Sequence, residues 1–290
     1  MGEAHLHRVD RVTIRIADFV LGPDTDGPLR GEVRWPEGTE PSSAVVVLHG
    51  FKGFKDWGFF PYACQTLAEA GHAVVSFDFS HNGIGDQPGE FTELERFARN
   101  TLSRELDEVG RVLSAVRAGE LPGFGGEGRV GVLGHSRGGG QAVLATAEHD
   151  DVRALVTWAA VADFDRWSDE VKSEWRASGR IHVANARTGQ QMPLDVTLLE
   201  DFESNQARLD ISNAAQAILA PWLVVHGEAD GTVDPDEGRR LAALAGDGRL
   251  LLVEGAGHTF EARHPFAGST PELDQALAAT REHFGRHLLD

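Results

Sequence analysis

The fold of this chain is decided by the stretch Arg129-Val130-Gly131-Val132-Leu133-Gly134-His135-Ser136-Arg137-Gly138-Gly139-Gly140. Its first part is an almost uninterrupted apolar run, which is typical of a parallel β-strand covered on both faces. A helical pattern over 142–148 follows the glycines. A serine framed by glycines between strand and helix matches G-x-S-x-G, in which a sharp, strained turn exposes the serine hydroxyl at the end of the sheet. We therefore predict that Ser136 is a nucleophile at the amino end of a helix.

Further apolar runs of the same kind occur at 44–48, 73–77 and 223–225, with helical patterns between them. Residues 12–16 and 29–35 instead alternate apolar and polar side chains across a turn-rich segment, so they predict an antiparallel entry to the sheet. The alternation of strands and helices predicts a doubly wound, mostly parallel sheet. In such sheets functional residues gather at the carboxyl ends of the strands.

Two later strands end in loops that carry an acid and a histidine. The run 221–225 leads into the loop with Asp230, and the run 250–253 leads into a glycine-lined loop that presents His258. His258 is predicted to accept the proton of Ser136 and to return it to the leaving group, while Asp230 fixes the histidine tautomer. These three residues constitute the predicted catalytic triad.

Other residues compete for these roles. Glu228 and Asp234 share the loop of Asp230, and the sequence leaves them open as alternative acids. His264 follows His258 by six residues, but no apolar strand precedes it, so it is assigned to the mouth of the site. The remaining histidines show no metal-ligand spacing, and no metal site is predicted.

Attack of Ser136 on a carbonyl group would place negative charge on the carbonyl oxygen. Two backbone N–H donors are needed to stabilise this oxyanion. One is expected to be the amide of Arg137, directly after the nucleophile. The strand at 44–48 is followed by His49-Gly50-Phe51, in which Gly50 lets the backbone turn. The amide of Phe51 is then the second predicted donor.

Taken together, these motifs resemble the α/β-hydrolase superfamily over nearly the whole chain. The resemblance is carried by Leu48-His49-Gly50-Phe51, Gly134-His135-Ser136-Arg137-Gly138, His226-Gly227-Glu228-Ala229-Asp230 and Gly257-His258-Thr259-Phe260. Within the superfamily the sequence is most similar to the small esterase and acyl-peptidase-like branch, near feruloyl esterases and dienelactone hydrolases. Dienelactone hydrolases typically carry cysteine where Ser136 stands. The resemblance implies an eight-stranded α/β-hydrolase fold and hydrolysis of an ester or amide without a cofactor.

Residues 163–218 interrupt the alternation of core strands and helices. We predict that they form a small cap, inserted into a core made of 1–162 and 219–290. The segments 181–185 and 192–196 flank Thr188-Gly189, which predicts a hairpin. The predicted acyl pocket under the cap is lined by Trp167, Trp175, Met192 and Leu194. Because 163–203 carry nine carboxylates against five cations, a negative rim and a preference for neutral esters are expected.

Bulk composition restricts partners and location. Forty-five acids against 27 lysines and arginines give a formal net charge of −18, which argues against nucleic-acid binding because that needs a basic surface. No apolar stretch has the length of a membrane span and no signal-peptide core is present, so a cytoplasmic protein that does not bind membranes is expected. The single cysteine, Cys64, allows no intrachain disulfide and is expected to be buried. A homodimer is compatible with the sequence.

The expected reaction is two-step acyl transfer to water through an acyl-Ser136 intermediate. A small-molecule carboxylic ester with a small or medium acyl group is the first choice of substrate. Acyl-peptide or aminoacyl amide bonds are the second choice, and carbon–carbon bond hydrolysis is the third. From another functional class, a catalytically silent scaffold that binds a ligand or partner stays open.

Overall fold

A computed structural model describes residues 12–85, 87 and 89–289. Eight strands of this part of the chain form one sheet, and two more form a separate hairpin. In chain order the strands are β1 (Ile14–Leu21), β2 (Leu29–Pro36), β3 (Ser43–Leu48), β4 (Ala73–Asp78), β5 (Arg129–His135), β6 (Val152–Trp158), β7 (Arg180–Ala184), β8 (Gln191–Asp195), β9 (Trp222–Gly227) and β10 (Gly248–Val253).

The sheet has the strand order β1-β2-β4-β3-β5-β6-β9-β10. Strand β2 runs antiparallel to β1 and β4, and every other pairing in the sheet is parallel. Strands β3, β5 and β9 are buried over almost their whole length, because helices cover both faces. This confirms the predicted α/β-hydrolase fold with a mostly parallel, doubly wound, eight-stranded sheet.

The helices lie between the strands along the chain, and several of them pack on the two faces of the sheet. They are α1 (Phe60–Glu69), α2 (Leu94–Ala98), α3 (Leu102–Arg117), α4 (Arg137–Glu148), α5 (Asp169–Ser178), α6 (Thr197–Ser204), α7 (Ile211–Ala217), α8 (Pro235–Leu244) and α9 (Pro271–Phe284), with a π-helical turn at Gly285–Leu289. Helix α9 begins at Pro271, where the Thr270 hydroxyl accepts a hydrogen bond from Leu273 N and proline suits the first turn. None of the helices in the described ranges is long and apolar enough to cross a membrane.

Two apolar clusters cover the two faces of the sheet. Val46 in β3 packs with helices α3 and α4, whereas Val45 and Val47 of the same strand belong to the cluster that contains Phe59 and Phe284. Alternate residues of a strand point to opposite faces. The continuous apolar run in β3 therefore supplies both cores.

The segment between β6 and β9 contains α5, the β7–β8 hairpin, α6 and α7. The hairpin pairs Ile181 with Leu194 in antiparallel register. Helix α7, at the end of the segment, packs against α4 and α8 of the core. The boundaries of the cap stay a prediction, although its elements occupy the predicted part of the chain.

One strand differs from the sequence expectation. Alternation predicted a first strand at 12–16, but β1 spans Ile14–Leu21. In the sequence, Asp18 interrupts the alternation of apolar and polar residues, so the pattern ends early. In the structure, β1 stays paired with β2 up to Leu21, which lies opposite Leu29. Long-range pairing therefore extends a strand that local pattern cuts short.

Candidate active site

Ser136 lies on a sharp turn between β5 and α4. Its backbone has φ 57° and ψ −122°, a conformation that costs a non-glycine residue about 1–3 kcal/mol. The turn is held because Ser136 N donates to Trp158 O at 2.9 Å and Ser136 O accepts from Val161 N at 3.2 Å. A Cβ atom on Gly138 would lie 2.4 Å from the carbonyl oxygen of His49. The glycine is therefore required where the helix start meets the loop after β3.

Three side chains join in one hydrogen-bonded line. Ser136 Oγ lies 3.0 Å from His258 Nε2, and His258 Nδ1 lies 2.8 Å from Asp230 Oδ2. Since a carboxylate only accepts, Nδ1 carries the hydrogen and Nε2 is free to accept the serine proton. The structure thus brings together Ser136, Asp230 and His258, which the sequence predicts to form the triad.

The two alternative acids do not reach His258. Glu228 is exposed, and Asp234 caps α8 by accepting from Asp236 N at 2.9 Å. The Asp230 side chain is fully buried. His264 accepts from Gly58 N at 2.9 Å and stacks beside Trp57, so it packs next to the cavity described below.

The region of the predicted oxyanion donors lies directly beside Ser136. A Cβ atom on Gly50 would be 2.9 Å from the Ser136 Cβ atom, which shows how closely the loop after β3 approaches the nucleophile. Phe51 and Arg137 both line the same cavity as Ser136. Arg137 is the first residue of α4, where a backbone N–H has no intrahelical acceptor.

Sequence reasoning missed two histidines that hold these loops. His49 Nδ1–H donates to Gly50 O at 3.0 Å, and its Nε2 accepts from Phe79 N at 3.3 Å. His135 Nε2–H donates to the carbonyl oxygen of His258 at 2.9 Å. Burial lowers the pKa of His49 to about 4 and that of His135 to about 3, so both rings stay neutral. Their positions next to the glycine turns were the only signal in the sequence.

Asp78 anchors the predicted oxyanion loop from the neighbouring strand. Its Oδ1 accepts from Lys55 N at 2.8 Å and from Asn82 Nδ2 at 2.9 Å. Burial raises the pKa of Asp78 to about 6, although the hydrogen bond from the Lys55 backbone opposes the rise. The contacts are with loop atoms and not with the triad.

Ser136 and His258 line a cavity of about 480 Å³. Its apolar wall includes Trp57, Phe60, Leu102, Val161, Phe164 and Trp167. A cavity of this size accommodates a small or medium organic ligand. Trp167 is the one member of the predicted acyl pocket that lies on this wall within the described residues.

The other three predicted pocket residues lie inside the cap. Trp175, Met192 and Leu194 are almost completely buried and do not line the cavity. Trp175 Nε1–H donates to Leu194 O at 2.9 Å, and its ring packs edge-on against Trp167 at 5.0 Å. The expectation that these three residues line the pocket is thus not met, and Trp175 instead supports the wall residue Trp167 from behind.

The charge of the cavity is also opposite to the expected negative rim. Lys52, Arg137, Arg166 and Arg187 lie on its wall, and no aspartate or glutamate of the described chain does. Cap acids are instead engaged with cap cations, as in the pair of Lys172 with Asp165 at 2.6 Å. The expected electrostatic preference for neutral esters therefore has no basis at this wall.

Cys64 offers no competing nucleophile. It is buried, and burial raises the pKa of its thiol to about 12. The reactive form of a cysteine is the thiolate. Cys64 thus behaves as a small core residue.

Comparisons with known proteins agree with this fold and identify a family of hydrolases. A hydrolase family model described as serine aminopeptidase, S33, matches residues 39–192. The 2,6-dihydropseudooxynicotine hydrolase of Paenarthrobacter nicotinovorans is 27% identical over 209 residues, covering 70% of this chain and 48% of that protein. A monoacylglycerol lipase of Mycolicibacterium smegmatis is 28% identical, covering 71% of this chain and 76% of the lipase.

Among solved structures, Est1E from Butyrivibrio proteoclasticus superposes with a TM-score of 0.67 at 17% identity, covering 93% of this chain and 98% of Est1E. At that identity the likeness shows the fold alone. The family match spans more than half of the 290 residues. The chain therefore belongs to the serine aminopeptidase S33 family of hydrolases, within the α/β-hydrolase superfamily.

Proposed function

We propose that this protein is a serine esterase that hydrolyses carboxylic esters with small or medium acyl groups. The observation that carries the proposal is the line of contacts from Ser136 Oγ to His258 Nε2 (3.0 Å) and from His258 Nδ1 to Asp230 Oδ2 (2.8 Å). Ester hydrolysis by such a triad needs no cofactor.

In the acylation step, His258 Nε2 removes the proton of Ser136 Oγ while Oγ attacks the ester carbonyl carbon. The negative charge that develops on the carbonyl oxygen is stabilised by the backbone N–H groups of Phe51 and Arg137. Collapse of the tetrahedral species breaks the ester bond, and His258 gives the proton to the departing alcohol. Asp230 stabilises the imidazolium that exists between these two transfers.

Deacylation repeats the sequence with water. His258 Nε2 takes a proton from a water molecule, whose oxygen attacks the acyl-Ser136 carbonyl. The proton then returns to Ser136 Oγ as the acid leaves. The size of the cavity, about 480 Å³, and its aromatic wall favour small and medium acyl chains.

The family description and the same triad make amide hydrolysis the alternative. Removal of an amino-terminal residue requires recognition of an ammonium group, for which a carboxylate is the natural partner. The wall carries four cations and, within the described residues, no carboxylate. This charge disfavours a free amino terminus and supports the ester.

The test is a panel of neutral aryl esters of two to ten acyl carbons beside the matching aminoacyl arylamides. We expect kcat/KM for the best ester to exceed that for any aminoacyl arylamide at least 100-fold. The outcome against the proposal is a preferred aminoacyl arylamide, which would make the protein a peptidase. No turnover of either class would favour the silent scaffold.

A further inference from the structure

The cavity is positively lined in a protein whose formal net charge is −18. Two of its four cations are neutralised by carboxylates behind the wall. Arg137 Nη2 lies 2.5 Å from Glu105 Oε1, and Arg166 Nη1 lies 2.9 Å from Glu237 Oε1. These two pairs contribute little net charge to the cavity.

The other two cations, Lys52 and Arg187, have no carboxylate within ion-pair distance in the described part of the chain. Lys52 Nζ donates to the carbonyl oxygen of Ala184 at 2.9 Å. The Arg187 guanidinium lies 5.5 Å from the ring centre of Phe54 and 5.6 Å from that of Phe91. Lys52 Nζ also lies 5.4 Å from the ring centre of Phe51. A carbonyl and three aromatic faces therefore leave both cations without a carboxylate partner among the described residues.

Both cations lie where the loop after β3 meets the hairpin loop. Lys52 belongs to the first loop, and its ammonium group contacts the last residue of β7, three positions before Arg187. Ser136 lies against the same β3 loop, since a Cβ atom on Gly50 would come within 2.9 Å of Ser136 Cβ. An ester held at the nucleophile therefore has, on one side, two cations that no described carboxylate neutralises.

The hairpin loop that carries Arg187 is held in place. Asn185 N donates to Gln190 O at 2.9 Å, and Asn185 Oδ1 accepts from Arg187 N at 3.2 Å. Gln190 Nε2 donates to Phe91 O at 3.0 Å, which ties the loop to the core. Arg187 is thus presented by an ordered loop, which reduces the entropy lost when it binds a ligand.

Burial alone lowers the pKa of Lys52 and that of Arg187. Partial removal from water without a nearby negative charge makes the charged form of each group less favourable. A bound anion would reverse this effect. A guanidinium binds a carboxylate through two parallel hydrogen bonds, and the lysine adds a second positive charge.

We propose that Lys52 and Arg187 form an anion subsite beside Ser136, and that the preferred substrates are esters bearing a carboxylate. This inference rests on the proposed esterase function and narrows its substrate class. The carboxylate is carried either by the acyl part or by the alcohol part, and the experiment separates the two.

The test compares two pairs of esters at low ionic strength. An aryl half-ester of adipic acid is paired with its neutral adipamate, and 4-carboxyphenyl butyrate is paired with 4-carbamoylphenyl butyrate. For one pair we expect kcat/KM of the carboxylate to exceed that of the neutral partner about tenfold. Lys52→Met and Arg187→Gln should each lower that ratio of kcat/KM values about tenfold. The control is Arg239→Gln, which should leave the ratio unchanged because Arg239 is exposed on α8 and lies outside the cavity wall. A neutral preference in both pairs, or ratios that neither variant alters, would overturn the subsite.

A binding measurement separates this inference from the esterase proposal. Monomethyl adipate and dimethyl adipate are titrated calorimetrically into Ser136→Ala protein and into its Arg187→Gln derivative. Tighter binding of the monoanion that is lost with Arg187 would support the subsite even if no ester is hydrolysed. Hydrolysis of the neutral esters with equal binding of both probes would leave the esterase standing and refute the subsite.

Discussion

His226 Nε2 lies 3.3 Å from Asp230 Oδ2, so the triad acid has a second histidine beside it. The same Nε2–H donates to Val233 O at 3.0 Å. The other oxygen of Asp230 accepts from Thr232 N at 2.8 Å and Val233 N at 3.0 Å. Burial by itself would raise the pKa of Asp230, but the hydrogen bonds from His226 and His258 outweigh it and keep that pKa below its usual range. Asp230 therefore stays ionised at neutral pH.

His226 is expected to position Asp230. Replacement His226→Phe removes the N–H group, leaves Asp230 Oδ2 with one donor fewer and should lower kcat about tenfold with KM nearly unchanged. His226→Gln retains an N–H donor and should keep more of the rate. The measurement is steady-state kinetics of both variants on one neutral ester. Equal activity of His226→Phe and wild type would show that the contact has no catalytic consequence.

The identity of the acid is tested by three amide substitutions in one loop. Asp230→Asn should lower kcat about 10⁴-fold, because the amide no longer favours the tautomer with hydrogen on His258 Nδ1. Glu228→Gln and Asp234→Asn should each lower kcat less than tenfold. The Glu228 side chain is exposed, and an asparagine at position 234 can still cap α8. A larger loss in Asp234→Asn than in Asp230→Asn would contradict the assignment.

The close approach at the nucleophile turn predicts a strong effect of one methyl group. Gly138→Ala places a Cβ atom 2.4 Å from His49 O and 2.8 Å from Leu48 O. Because these are backbone atoms, we expect a loss of roughly 2–3 kcal/mol in the free energy of unfolding and a fall in kcat of at least 100-fold. Gly231→Ala is the control, since no atom lies within 4 Å of its added Cβ. Equal stability of the two variants in urea unfolding would refute the packing argument.

Stability should fall on the acid side through buried neutral histidines such as His72. Burial lowers the pKa of His72 to about 4, whereas in the unfolded chain it titrates near 6.5. Between these values the unfolded state binds one more proton, so stability decreases as the pH falls, by about 1.4 kcal/mol per pH unit for each such histidine. His72→Gln should reduce the slope of unfolding free energy against pH by about that amount between pH 4.5 and 6. Ser43→Ala keeps the buried ring of His72 but removes its hydrogen-bond partner, so it should not reduce the slope. Identical slopes for His72→Gln and wild type would contradict the prediction.

The nucleophile turn and the parallel strands could be predicted because their signals are local. A buried strand, a glycine-framed serine and a helix lie within about twenty residues, and the loops of Asp230 and His258 each follow their own strand. The carboxyl ends of parallel strands meet at one edge of the sheet. Chain order and strand position were therefore sufficient to select Ser136, His258 and the loop of the acid, but the choice of Asp230 over Glu228 and Asp234 needed the structure.

The pocket could not be predicted in the same way. Trp167 and Trp175 have helical spacing, but α5 begins at Asp169 after its cap Ser168, so Trp167 lies outside the helix and turns toward the cavity. The Ser168 cap followed by two acids was a signal that could have separated them. Lys52 and Arg187 are far apart in the sequence, and only the folded hairpin brings them to the wall of one cavity. Net charge along a segment does not determine which side chains face a cavity.

The proposed mechanism depends on Ser136 being the nucleophile that His258 activates. The most direct measurement is intact-protein mass spectrometry after exposure to a fluorophosphonate, followed by peptide mapping. We expect one adduct, on Ser136, in wild type, labelling slowed at least 100-fold in His258→Ala, and none in folded Ser136→Ala, whose turnover of a neutral ester should fall roughly 10⁴- to 10⁶-fold. A stoichiometric adduct in Ser136→Ala, or more than a tenth of wild-type turnover, would contradict the account.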